Sequence, residues 1–181
     1  MEQIVQLNSN AKLSEHFMLG EFTRSSSHPE VYNIPSHEAI ENMKHLCIWL
    51  EELRKRYNDK YVVVKGDSST SLGMTGGDGA LGMTNGGEEP IRLNSGYRSP
   101  QLNRAIGGVS NSNHLTGCAV DIRVENMEQL IRYAAILLDI SNDTKQDFDE
   151  LLIEKNRHGA IWLHFAVRPS NNRRKVRLIQ A

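Results

Sequence analysis

Residues 95–122 read SGYRSPQLNRAIGGVSNSNHLTGCAVDI, and the strand that closes this stretch decides the fold. In 118–124 (CAVDIRV), Cys118, Val120, Ile122 and Val124 alternate with Ala119, Asp121 and Arg123. Side chains along a strand point to opposite faces in turn, so the first set makes a core face. Asp121 then projects from the other face beside the small Ala119. A later segment, 160–167 (AIWLHFAV), repeats the arrangement, with Ile161, Leu163, Phe165 and Val167 apolar and Trp162 and His164 opposite. As neighbouring strands, the two segments stand Asp121 and His164 side by side. His114 precedes its strand by the Gly117 turn and reaches back over the same spot. Upstream, Ser99 caps a short helix with Pro100 at its first position, and Gly107 and Gly108 close it.

Working outward, the first 35 residues read as an irregular arm. Ser36 is an N-cap with Glu38 in the first turn. Ile40, Met43, Leu46, Cys47, Leu50 and Leu53 then recur at helical spacing, and this helix is expected to end near Tyr57. The β-branched run 61–65 (YVVVK) reads as a short strand. Residues 66–89 hold eight glycines and almost no bulky apolar residue, a composition expected to form an extended, flexible loop, either a lid or an inert insertion. Residues 90–95 return to a strand. Asn126 caps another helix with Gln129 at capping-box spacing, its apolar face being Met127, Leu130, Ile131, Ala134, Leu137 and Leu138. Short strands at 151–154, 160–167 and 175–179 follow. Strands clustered late, with helices before and between them, predict an α+β fold: a mainly antiparallel sheet packed against helices, in one domain over 1–181.

Bulk properties exclude several classes of function. Of the 181 residues, Lys and Arg number 21 and Asp and Glu 22, a balance that argues against nucleic-acid binding through phosphate neutralisation. The cluster Arg173, Arg174, Lys175 and Arg177 reads as a solvated edge strand guarded by charge. The two cysteines, Cys47 and Cys118, sit at apolar-patterned positions and are expected to be buried free thiols. The first 17 residues lack a basic segment followed by an apolar run, so no secretory signal is read, and no stretch approaches a membrane span. The expectation is a monomeric protein, soluble and cytoplasmic as synthesised.

Two imidazoles and one carboxylate suit zinc, which leaves its fourth position to water and lowers that water's pKa to about 7. Taken singly, each residue has a plainer reading. His164 beside a tryptophan is structural, Asp121 pairs with Arg123, and His114 is a loop residue. The ordered set outweighs these.

That set, Ser112-x-His114-x-x-Gly117-x-Ala119-x-Asp121 followed by Trp162-x-His164, resembles the zinc D-Ala-D-Ala carboxypeptidases and their peptidoglycan-endopeptidase relatives. This group shares a fold with the hedgehog signalling domain and lysostaphin. Ser95 to Ser99, Asn103-x-x-Ile106-Gly-Gly108, and Leu13-Ser-x-x-Phe17 with Glu21-Phe22 are similar to the family as well. The resemblance implies that His114, Asp121 and His164 hold Zn2+, and that Arg98 contacts the substrate or the charge building on the scissile carbonyl. Trp162, on the same strand face as His164, is expected to wall a groove for the peptide stem of peptidoglycan, with Ser112 and Tyr97 as further substrate-binding residues. In several relatives an acid lies three residues before the final His, where this chain has Ile161. Others carry a Glu in a Phe-Asp-x-Leu-Ile-x-Glu-like context, which here selects Glu154 as the catalytic base, with Glu150 and Asp149 in reserve. His158, in the turn between these strands, is either a further contact or a solvated loop residue. A zinc module without turnover and a wall-binding structural module are the alternatives to an enzyme, and carboxypeptidase and endopeptidase stay open.

Overall fold

The computed structural model describes residues 7–62 and 87–180. Among these residues ten elements follow one another: α1 (Leu19–Thr23), α2 (His37–Tyr61), β1 (Leu93–Ser95), α3 (Pro100–Ala105), a 3-10 turn (Asn113–Thr116), β2 (Ala119–Arg123), α4 (Met127–Thr144), β3 (Glu150–Lys155), β4 (Ile161–Ala166) and β5 (Lys175–Gln180). The strands form one sheet in the order β1-β2-β4-β3-β5, antiparallel except where β5 runs parallel to β3. This is the α+β arrangement expected.

The two faces differ as the alternation requires. Val120, Ile122, Leu151, Leu163 and Phe165 point to one side and join Met43, Leu46, Leu50 and Leu53 of α2 and Leu130, Tyr133 and Leu137 of α4 in a single core. Each such side chain contributes about 1.5–3 kcal/mol on burial. Trp49 of α2 seats its ring against Phe148 and Phe165, at centroid distances of 6.5 and 5.5 Å. The helices cover that face, and the opposite face is left for the site. Cys47 and Cys118 are both buried free thiols, and burial pushes the Cys47 thiol up to about 12.

The helix caps match the sequence reading. Ser36 Oγ accepts from the Ala39 amide, Ser99 Oγ from that of Leu102 and Asn126 Oδ1 from that of Gln129. Three expectations are corrected. Helix α2 continues to Tyr61, so Tyr61 is helical rather than the start of a strand. Its ring packs on Tyr57 one turn earlier in the same helix at 5.4 Å and lies under the Arg132 guanidinium of α4 at 4.3 Å, a tertiary contact that overrides β propensity. The rest of that expected strand, 63–65, and positions 66–86 of the glycine-rich insert lie outside the described residues. On α4 the buried stripe runs through Leu130, Tyr133, Leu137 and Ile140, whereas Met127 and Ile131 are about half exposed. The N-terminal arm is not irregular throughout: Phe17, Leu19 and Phe22 are buried, with the Phe17 and Phe22 rings edge to face at 6.3 Å.

Gly117 ends the 3-10 turn at φ 73°, and a Cβ there would stand 2.4 Å from the Ala39 carbonyl oxygen of α2. The left-handed conformation alone costs a non-glycine residue about 1–2 kcal/mol, and the clash is with backbone that cannot step aside. Gly117→Ala is therefore expected to lower the thermal midpoint by about 2–8 °C, taking about 2–4 °C per kcal/mol at this chain length. A melt of the variant matching wild type would show that the turn has slack.

Candidate metal centre and cleft

Strand pairing brings the expected residues together. Asp121 of β2 is the direct register partner of His164 on β4, and His164 in turn pairs Leu152 of β3. His114 enters from the 3-10 turn that leads into β2. Its Nε2 lies 3.3 Å from Asp121 Oδ1 and 3.3 Å from His164 Nδ1, and His164 Nδ1 lies 2.9 Å from the same Oδ1. All three residues are buried.

These separations are a test of fit. An ion bonded tetrahedrally to nitrogen and oxygen at about 2.0–2.1 Å holds its ligand atoms about 3.3 Å apart. The three donor atoms stand within a few tenths of an ångström of that spacing, without any rearrangement. The surrounding bonds present the right atoms. The Gly96 carbonyl sits 2.6 Å from His114 Nδ1, which places the ring proton there and leaves the Nε2 lone pair facing the centre. Asp121 divides its two oxygens: Oδ1 faces the imidazoles, and Oδ2 accepts from Arg98 Nη2 at 2.6 Å. Burial disfavours the Asp121 carboxylate, yet the two imidazoles outweigh it and hold its pKa far below the usual range. Burial likewise disfavours the His164 imidazolium, but Asp121 and Glu150 more than compensate and raise its pKa to about 9.

Around the centre opens a cleft of about 590 Å³. Arg98, Ser112, Glu150, Glu154 and Trp162 all line it, with the apolar Ile106, Val109, Leu152 and Ile179. Ser112 also caps the turn carrying His114, its Oγ accepting from the His114 amide at 3.3 Å. Arg98, expected to face substrate, spends Nε on Ser95 and Nη2 on Asp121, so its first role in the fold is to hold that carboxylate. Tyr97 is corrected: the residue is 7% exposed, belongs to the hydrophobic core and is not among those lining the cleft. His158 is exposed in the β3–β4 turn, beside Arg157 and away from the cleft.

The three acids offered as bases are placed very differently. Asp149 is fully buried and bound by Arg168 at 2.9 Å, Arg173 at 2.6 Å and Asn113 at 2.8 Å, which fix it as a structural anion. Glu150 and Glu154 flank Leu152 on β3 and share its face, so they stand on either side of the His164 row. His164 and Lys175 hold Glu150 well below the carboxylate range. Burial instead pushes Glu154 up, against the pull of His164.

Several residues of the site escaped the sequence reading. Arg173 and Lys175, read as a solvated edge, ion-pair with Glu150 inside the cleft at 3.0 and 2.8 Å. The alternation of Lys175, Arg177 and Ile179 was the available signal, since it puts Lys175 on the same face as Glu150, its parallel register partner. Asn113 bridges Asp149 and Glu150. Asn33, from the supposedly irregular arm, bonds the Tyr97 carbonyl and the Ser99 amide and so fixes the turn presenting Arg98.

Fold and site together define an α+β protein with a buried His-Asp-His group of metal-ligand spacing at the floor of a cleft. Residues 83–146 match the family model for Peptidase M15, a zinc D-Ala-D-Ala carboxypeptidase-type family, and this is the family that the motifs resemble. The matched span includes Arg98, His114 and Asp121 and ends before β3. No curated protein matches the chain. Among the described residues no helix is long and apolar enough to cross a membrane.

Proposed function

We propose that the protein is a zinc-dependent peptidase hydrolysing D-amino-acid-containing peptide bonds of bacterial peptidoglycan, as a D-Ala-D-Ala carboxypeptidase or a cross-link endopeptidase. The observation that carries this reading is the tetrahedral spacing of His114 Nε2, Asp121 Oδ1 and His164 Nδ1 at the floor of a cleft that also holds Glu154. The match to Peptidase M15 supports the reaction class.

His114, Asp121 and His164 would hold the zinc, which when bound would supply Lewis acidity and lower the pKa of a water to about 7. The chain's own groups do the rest. Glu154 takes a proton from the attacking water as the new C–O bond forms, then hands it to the amine nitrogen as the C–N bond breaks. Its raised pKa suits both halves of that exchange. Arg98 has N–H donors beyond those given to Ser95 and Asp121, and these meet a substrate carboxylate or the developing oxyanion. Trp162, half-buried beside Glu154 in the β3–β4 register, walls the groove, and Ser112 closes it on the His114 side.

The test is to incubate the protein with purified peptidoglycan, zinc-loaded and after chelation, and to weigh the released fragments. Zinc-dependent release is the expected result, as free D-alanine for a carboxypeptidase and as opened cross-links for an endopeptidase. Wall left intact under every metal condition would overturn the proposal.

A further inference from the structure

We propose that Glu150 is a positioning residue for His164: its carboxylate accepts a hydrogen bond from the ring N–H at Nε2, and so fixes the tautomer and ring orientation in which Nδ1 faces the metal centre. This rests on reading the centre as a metal site.

The need is visible in the geometry. Once Nδ1 is turned to Asp121 and the centre, the neutral ring must carry its proton on Nε2. That atom is buried and has no hydrogen-bond partner among the described residues. The corresponding atom of the other imidazole, His114 Nδ1, has the Gly96 carbonyl at 2.6 Å. The two histidines thus differ in one respect, and Glu150 is placed to remove the difference. Its Oε2 stands 3.7 Å from His164 Nε2, beyond hydrogen-bond range by well under one ångström. Glu150 pairs Ala166 in the β3–β4 register, making it a diagonal neighbour of His164. The small Ala166 side chain leaves the carboxylate room to lean across.

The carboxylate is also held. Lys175 Nζ and Arg173 Nη2 bond Oε1 at 2.8 and 3.0 Å, which leaves Oε2 turned toward the imidazole. Asn113 Nδ2 reaches Oε2 at 3.2 Å and Asp149 Oδ2 at 2.8 Å. Asn113 immediately precedes His114. The clamp therefore ties β3 and β5 to the turn bearing one imidazole and to the strand bearing the other. Carboxylates behind ligating histidines act in this way generally, and their loss costs about 10–100-fold in metal affinity.

The experiment measures zinc affinity of the full chain by chelator competition, alongside the ring ¹⁵N and ¹H resonances of His164. Glu150→Met keeps the stem and removes the acceptor; it is expected to weaken zinc about 10–100-fold and to shift or broaden the Nε2 proton signal. Glu150→Gln retains an acceptor oxygen and is expected to restore most of the affinity, an outcome that a purely steric role does not predict. Metal-free melting curves identify any variant that fails to fold, and Glu150→Ala then stands in for Glu150→Met. Wild-type affinity with an unchanged His164 signal in the acceptor-less variant would overturn the proposal. Asp121→Ala separates the two levels. If it binds zinc as wild type does, the metal reading itself fails; if it alone loses zinc, only the role of Glu150 fails.

Discussion

Glu154→Gln is expected to lower the hydrolytic rate constant by about 10²–10⁴-fold, the usual contribution of a positioned general base, while zinc affinity changes little. The reason lies in the contrast between two glutamates on one strand. Glu150 and Glu154 share a face of β3 and both line the cleft, so sequence position and exposure do not separate them. Their surroundings do. His164 and Lys175 hold Glu150 well below the carboxylate range, so it is a carboxylate at neutral pH with little tendency to take a proton. Glu154 is raised by burial. When two nearby acids are pushed apart in this way, the raised one is suited to proton transfer. The sign follows: a raised carboxyl must lose its proton before it can serve as base, so the acid limb of the pH–rate profile falls above the usual carboxylate range. In Glu154→Gln that limb disappears together with the rate. A variant with full turnover and bound zinc would transfer the base role elsewhere.

The sequence carried the site further than it carried the fold's periphery, for physical reasons. Asp121 and His164 were legible because strand alternation is a local rule, and both strands alternate without interruption. That the two residues are register partners follows once the strands are adjacent. His114 sits in a short turn with no periodicity, and its placement came from the motif. What could not be read were properties of pairs distant in the chain. Arg98 meets Asp121 across 23 positions and Lys175 meets Glu150 across 25, so neither bond has a local signature. The same applies to the end of α2, where Arg132 of α4 keeps Tyr61 helical against a run of valines. Tyr97 was misplaced because a turn has no fixed face alternation from which to tell it from Arg98.

Loss of Asp121 is expected to have the largest combined effect, on metal and on fold. Asp121→Ala removes one of three donors and is expected to abolish stoichiometric zinc binding at micromolar metal. It also strands the Arg98 guanidinium, whose side chain is only 16% exposed. Breaking a buried pair costs about 3–5 kcal/mol; partial exposure of Arg98 argues for the lower end, or about 6–12 °C in the metal-free melt. The effect depends on pH in a direction that can be worked out. The folded-state pKa of His164 is raised from 6.5 to about 9, and the Asp121 hydrogen bond raises it against burial. That pairing stabilises the metal-free wild type fully below about pH 6.5 and is lost as pH rises through about 9. The stability gap between wild type and Asp121→Ala should therefore narrow over this range. Zinc affinity of the wild type runs the other way. The metal takes the site of the same Nδ1 proton, so affinity is expected to climb by about tenfold per pH unit until it levels near pH 9. Melts and zinc titrations at pH 6.5, 7.5 and 8.5 read both trends. If affinity is flat with pH while the gap narrows, His164 titrates without holding metal, and the centre must be rebuilt without it.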